Sequence, residues 1–269
     1  MKLTPKVSLK VSVEAEVINP NVFAGKSLEE IANLPVWEGR IKSRLGDFFE
    51  LEGPVAHKPE DVTILIDGDA SRVKYIGARM TAGEVIVKGN VDMHTGDMMK
   101  GGRIIIEGNA DSFTALSMRG GEIIIKGSAG DYLGAAPRGE WRGMMNGRIF
   151  VEGNAGREIG AWMMGGLIHV KGNVGQFAGV HMRGGTILVE GNAGARAGAQ
   201  MVDGKIIILG KLEELLPGFV YKETVDNIKL DDATEVKGPF LRFEGDLAED
   251  GKGSLYLHSN KNQHLMKQG

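Results

Sequence analysis

Six histidines and 35 acidic side chains, with no cysteine, are the groups on which chemistry in this 269-residue chain would rest. A metal site calls for His and carboxylate ligands at spacings such as HxH or HExxH. His57, His94, His169, His181, His258 and His264 show neither arrangement and fall at unrelated positions of the pattern described below. Without a thiolate the chain supplies no ligand to an iron–sulfur cluster and no sulfur nucleophile. Glycan cleavage needs paired carboxylates on one face, yet the recurring acids alternate with bases: Lys88, Glu107, Lys126, Glu152, Lys171, Glu190. Met99, Met118, Met144, Met163, Met182 and Met201 recur as a row. With no Cys or His beside them they read as filler of an irregular core rather than soft-metal ligands. No Ser/His/Asp order or phosphate loop rises above the Gly-rich matches that repetition alone generates. The chain therefore assigns no catalytic, cofactor-binding or metal residue to itself.

One short stretch has the composition of a contact site. Pro137–Gly143 carries Trp141 between Arg138 and Arg142, and Trp and Arg are the types that most often anchor interfaces. It is either a docking loop or a loop folded on the chain's own surface.

These residues are positioned by a phrase that returns every 19 residues, as from Gly89 to Gly108 to Gly127 and from Gly153 to Gly172 to Gly191 to Gly210. Each unit opens on a β-branched run such as Ile104–Ile106 and closes on a Gly pair such as Gly120-Gly121, strand followed by turn. Units too small to bury an apolar face alone must stack. Nineteen residues this rich in glycine leave no room for a helix of ordinary length, so the unit reads as one coil of a parallel β-helix. Pro137–Gly143 is then about seven extra residues in the fourth coil, leaving the stack as a loop.

Columns of the repeat become rows of the fold. Val85/Val87, Ile104/Ile106, Ile123/Ile125, Ile149/Val151, Ile168/Val170, Ile187/Val189 and Ile206/Ile208 point inward by period two. Ala110, Ala129, Ala155, Val174 and Ala193 mark a tight corner, and the neighbouring Asn90, Asn109, Asn154, Asn173 and Asn192 a ladder of mutually bonded side-chain amides. Lys88, Glu107, Lys126, Glu152, Lys171 and Glu190 form one charge ladder, and Glu84, Arg103, Glu122 and Arg148 another. Between them the outward row Leu65, Ile86, Ile105, Ile124, Phe150, His169, Leu188, Ile207 is apolar but for His169. Such a row is too large to leave in water. Either terminal segments or a partner must cover it, which makes Ile105, Ile124, Phe150 and Leu188 candidate partner contacts beside Arg138, Trp141 and Arg142.

Residues 57–210 are thus the repeats, with 1–56 and 211–269 as capping segments. In the first, Val7, Leu9, Val11, Val13, Ala15 and Val17 read as one long amphipathic strand, and Ser27 caps a short helix through Ile31. In the second, Leu212–Leu216 has a helical pattern, and 219–230, 240–244 and 254–258 read as strands. A net charge of −3 argues against nucleic acid as a partner. No run is long enough for a membrane span, and the first residues begin no signal peptide, so a cytoplasmic location is expected.

From Gly127 onward the phrase is GxxGxxxG, in Gly127-Ser-Ala-Gly130-Asp-Tyr-Leu-Gly134 and again at Gly153–Gly160, Gly172–Gly179 and Gly191–Gly198. Asp92 and Asp111 replace the second glycine in the two units before. Four consecutive copies resemble the C-terminal domain of the glutamate synthase large subunit and its relative, the C subunit of formylmethanofuran dehydrogenase. Length and the Leu34-Pro-Val-Trp-Glu-Gly39 stretch make the chain similar to the latter throughout. The resemblance implies a right-handed β-helix in a complex of methanogenic archaea that reduces CO2 at a tungsten or molybdenum pterin, fed by iron–sulfur clusters, and forms N-formylmethanofuran at a metal-dependent amidohydrolase. Those cofactors would belong to the pterin-bearing and amidohydrolase partner subunits, with this chain a non-catalytic scaffold of the oxidoreductase. A scaffold of a formyltransferase/hydrolase complex in one-carbon metabolism, and a free-standing β-helix enzyme acting on polysaccharide, are the alternatives.

Overall fold

In the computed structural model, which describes residues 1–6, 9–230 and 234–267, strands dominate and the longest α-helix is the five-residue Leu28–Ala32. The fold is all-β, and thirteen strands make one sheet. Its centre runs through Thr63–Ile66, Glu84–Val87, Arg103–Ile106, Glu122–Ile125, Arg148–Val151, Leu167–Val170, Arg183–Val189 and Asp203–Ile208, each parallel to the next. Pairing keeps the repeat in register, Ile104 opposite Ile123 and Ile125 opposite Val151, so the longer fourth unit absorbs its extra residues outside the sheet. A second ladder of parallel bridges links Ala70, Val91, Ala110, Ala129, Ala155, Val174, Ala193 and Leu212. Each repeat is therefore tied to its neighbour on two sides.

Between these ladders the paired Ile and Val side chains are at most 1% exposed, and the row Met80, Met99, Met118, Met144, Met163, Met182 and Met201 is fully buried. Removing such a side chain from water stabilises by about 1.5–3 kcal/mol. The recurrent glycine has a steric cause. A Cβ at Gly172 would lie 2.5 Å from the Gly153 carbonyl oxygen and 2.5 Å from Asn154 Oδ1, because the backbones of successive repeats approach there. The asparagines form the expected amide-to-amide bond at one rung, Asn109 Nδ2 to Asn90 Oδ1 at 3.2 Å, and add bonds to backbone. Each Oδ1 accepts from the backbone N–H of the next repeat, Asn90 from Asn109 at 2.9 Å and Asn154 from Asn173 at 2.8 Å. Ser128 takes the same role with its hydroxyl toward Asn154. An amide oxygen aimed at a backbone donor satisfies a group that the tight corner would leave orphaned.

The ends extend the sheet. Lys2–Pro5 pairs parallel with Thr63–Ile66 and antiparallel with Phe49–Glu52. At the far end Gly253–His258 adds in parallel, followed by the antiparallel Glu235–Gly245 and Val220–Lys229. Ser27 Oγ accepts from Glu30 N–H and Glu30 returns a bond to the Ser27 N–H, capping Leu28–Ala32. Two local expectations fail. Of the strand expected from Val7 to Val17 only Val13–Glu14 forms, with Val11 half exposed and Val7 outside the described residues. Leu212–Leu216 forms no helix, because Leu212 continues the bridge row from Ala193 and its N–H bonds to Asn262 Oδ1.

Candidate functional site

The corner that follows the bridge ladder turns through alternate residues with positive φ. Tyr75 (+64°), Gly77 (+67°) and Arg79 (+61°) begin a series that recurs as His94, Gly96, Met98, as Glu158, Gly160, Trp162, and as Phe177, Gly179, His181. An L-residue in this region costs roughly 1–2 kcal/mol. The central position sits against the core, where a Cβ at Gly160 would meet Ile187 Cδ1 at 2.7 Å. The two flanking positions project outward and form the walls of a furrow, and residues one place before the second wall form its floor.

One wall is a stack of rings. Tyr75, His94, Phe113 and Tyr132 lie face to face, with centroids 4.7, 5.4 and 5.0 Å apart and planes within 15°. Each such contact adds about 0.5–1.5 kcal/mol beyond burial, which offsets the backbone strain. The opposite wall carries Trp162 stacked on His181 at 4.0 Å. Leu116, Ala135 and Ala161 make a buried apolar floor. Asp97 occupies the same floor position two repeats before Ala135. Its Oδ2 meets His94 Nδ1 at 2.8 Å, while Oδ1 is buried with no partner among the described residues. Burial raises the Asp97 pKa despite that bond, and burial lowers the pKa of His181.

The Pro137–Gly143 insertion closes over this furrow. It is tied down by the Ser117 hydroxyl donating to the Arg142 carbonyl at 2.7 Å and by Gly143 N–H donating to the Trp162 carbonyl at 2.8 Å. Beneath it lies a pocket of about 290 Å3, bounded by Phe113 and Tyr132, Trp162 and His181, Glu158, and Arg138 and Glu140 of the insertion. Trp141 remains 48% exposed, with the Arg142 guanidinium 4.2 Å above its ring. The anticipated residues thus divide: Arg138 lines the pocket, while Trp141 and Arg142 form an outward knob.

The outward row belongs to a different surface, since none of its residues lines this pocket. Ile105, Ile124 and Phe150 are half-buried on the sheet, with His169 packing edge-on to Phe150 at 5.0 Å. Leu188 must be withdrawn as a partner contact. It is 4% exposed beneath the chain's own C-terminal strands, with Ile207, Ile228 and Phe240. That hairpin covers the last two positions of the row and leaves Ile86 to Phe150 partly open. The flanking charges pair as Lys88–Glu107 at 2.8 Å and Arg103–Glu122 at 3.0 Å, but Glu190 turns to His169 Nε2 at 2.7 Å. Surface pairs of this kind contribute little energy; their alternation favours the observed register over a slipped one.

Sequence reading missed the ring stack, and its signal was present. Tyr75, His94, Phe113 and Tyr132 stand 19 residues apart, but their side-chain types vary and Glu158 interrupts the column. His94 and His181, which seemed unrelated to the repeat, occupy the two walls of one furrow.

A family model described as "GXGXG motif" matches residues 96–238. The chain is 49% identical to the C subunit of the tungsten-containing formylmethanofuran dehydrogenase 2 of Methanococcus maripaludis, over 98% of both chains. It is 59% identical to the C subunit of the molybdenum-containing formylmethanofuran dehydrogenase 1 of Methanothermobacter marburgensis, over 98% of this chain but 64% of that protein. With the tungsten-containing relative from Methanothermobacter wolfeii the identity is 53%, and the aligned stretch spans 35% of each chain. Among solved structures, a chain from the formyltransferase/hydrolase complex of Methylorubrum extorquens, in complex with methylofuran, superimposes with a TM-score of 0.86 at 29% identity, over 96% of this chain and 99% of that one.

Proposed function

The chain belongs to the family of formylmethanofuran dehydrogenase C subunits, and from that premise we propose that it is the non-catalytic scaffold of such a complex in the cytoplasm. The complex would reduce CO2 and form N-formylmethanofuran, the first step of methanogenesis from CO2. The stacked repeats are then coils of a right-handed parallel β-helix, with residues 1–56 and 211–269 as its caps. In-register parallel pairing on one side and the bridge ladder on the other support that reading. The tungsten or molybdenum pterin, the iron–sulfur clusters and the amidohydrolase metal would be held by partner subunits. This chain's donor set does not suit them: it has no cysteine, and its described residues include no group of three or more His, Asp or Glu placed to hold an ion.

The observation that carries the reading is the uncovered stretch of the outward row. Among the described residues the chain's own hairpin buries Leu188 and Ile207 but leaves Ile86, Ile105, Ile124 and Phe150 half-buried, and a contiguous apolar strip of that kind marks an interface. A second reading, a scaffold in a formyltransferase/hydrolase complex, is favoured by the full-length superposition on the Methylorubrum chain. Native mass measurement with metal analysis of the tagged chain from its own cells separates the readings. A heteromeric complex containing tungsten or molybdenum supports the first, and one lacking both supports the second. A monomer would end both.

A further inference from the structure

We propose that the pocket beneath the Pro137–Gly143 insertion is a receptor for one arginine side chain, presented by the surface of a partner protein in the assembly. The inference rests on the reading of the chain as a scaffold but adds what one contact point recognises. Its lining carries the rings of Tyr132 on one side and Trp162 on the other, with the apolar Ala161 and Val180 beside them. A planar guanidinium stacks on such faces, and desolvation strengthens the attraction. The chain already uses this pairing on these rows: Arg157 lies 5.9 Å from the Tyr132 centroid, Arg183 5.6 Å from Trp162 and Arg196 5.5 Å from Phe177.

Charge selects the sign of the guest. The lining holds two carboxylates, Glu140 and Glu158, against one fixed cation, Arg138. Burial disfavours the charged form of His181, so the fixed charges of the lining leave one net negative. Arg157 is paired with Asp131 at 3.1 Å, and Arg183, whose guanidinium lies 5.6 Å from the Trp162 centroid, stands outside the lining. Among the described residues neither glutamate forms an ion pair, nor does Arg138. Glu158 also breaks the ring stack where a fifth ring would stand, so an acid occupies the position best placed to meet a cation between Tyr132 and Phe177.

The test uses the full chain with Trp37→Phe and Trp141→Phe, which leaves Trp162 the sole tryptophan of the three. N-acetylarginine amide, N-acetyllysine amide and N-acetylglutamate amide are titrated while Trp162 emission is followed. The arginine amide is expected to give a saturable change in the millimolar range, with lysine weaker and glutamate without effect. Glu140→Gln with Glu158→Gln should weaken arginine binding at least tenfold, and Arg138→Gln should strengthen it by removing the competing cation. No saturable response, an equal response to the glutamate amide, or indifference to the double substitution overturns the pocket proposal. In native complexes purified in parallel, the double variant should lose partner subunits at lower salt than wild type. An intact, equally salt-resistant complex would reject the pocket while leaving the scaffold reading in place, whereas a wild-type chain that purifies alone would reject the scaffold.

Discussion

Replacing Gly172 by alanine tests whether close approach of successive backbones explains the recurrent glycine. The added Cβ would stand 2.5 Å from the Gly153 carbonyl oxygen, 2.7 Å from its carbon and 2.5 Å from Asn154 Oδ1. Two of these atoms are backbone and do not swing aside. The third accepts the Asn173 N–H at 2.8 Å, so moving it breaks a rung of the asparagine ladder. Overpacking of this kind costs about 1–3 kcal/mol, and the lost hydrogen bond adds about 1 kcal/mol. Alanine lowers the entropy of the unfolded chain and returns about 0.4–1 kcal/mol. The net is about 1–3.5 kcal/mol, which for a chain of this size lowers Tm by roughly 2–14 °C. Gly139→Ala is the matched control. It has φ of +84° but nothing within 4 Å, so only backbone strain of about 1–2 kcal/mol applies, before the same entropic return. Thermal melts of both variants, with hydrogen exchange at the Asn173 amide, measure the two effects. If Gly172→Ala costs no more than Gly139→Ala and the Asn173 amide stays protected, crowding between repeats is not why glycine stands there.

Met163 is fully buried, and Met163→Ala should cost about 2–5 kcal/mol in urea unfolding; a loss below about 1 kcal/mol would show that the methionine row is not a packed core. On the open strip of the sheet, Ile124→Glu should leave the isolated chain within about 1 kcal/mol of wild type while abolishing retention of partner subunits, and retained partners would place the interface elsewhere. Trp141→Ala combined with Arg142→Ala should weaken assembly with Tm unchanged, as judged by native mass and melting; unweakened assembly would remove the knob from the interface. Burial raises the Asp97 pKa, so the folded state holds that proton more tightly than the unfolded chain, and stability falls as pH climbs from the ordinary aspartate value through the raised one. Asp97→Asn keeps an oxygen for His94 and removes that decline. Its advantage over wild type should therefore grow across the acid range and then level off in urea melts from pH 3 to 7, and parallel curves would refute the assignment.

The inward rows were legible because their chemistry repeats with their position: Ile and Val two apart, Met ten past the glycine, small residues at the bridge corner. A row of rings was harder to see. The αL corner constrains where a side chain projects but not which one it is, so Tyr75, His94, Phe113 and Tyr132 share geometry and contact without sharing a type. Coverage of the sheet was legible only as a need. That Leu188 is met from within the chain depends on Val220–Lys229 and Glu235–Gly245 reaching back over the last repeats, a long-range pairing with no local signature. Leu212–Leu216 misled for the opposite reason. Its spacing satisfied a helix, but the bridge ladder offered Leu212 a place already prepared by the repeats before it.

The fourth repeat separates two kinds of information that most folds mix. Its extra residues leave Ile125 opposite Val151 and Ala129 opposite Ala155, so neither ladder records that anything was added. On the docking proposal, one contact of the chain is written in the length and composition of that excursion, while how the chain stands up is written in columns that the excursion never enters. A descendant could change partners by editing a few residues of that loop, with the architecture beneath it indifferent to the edit.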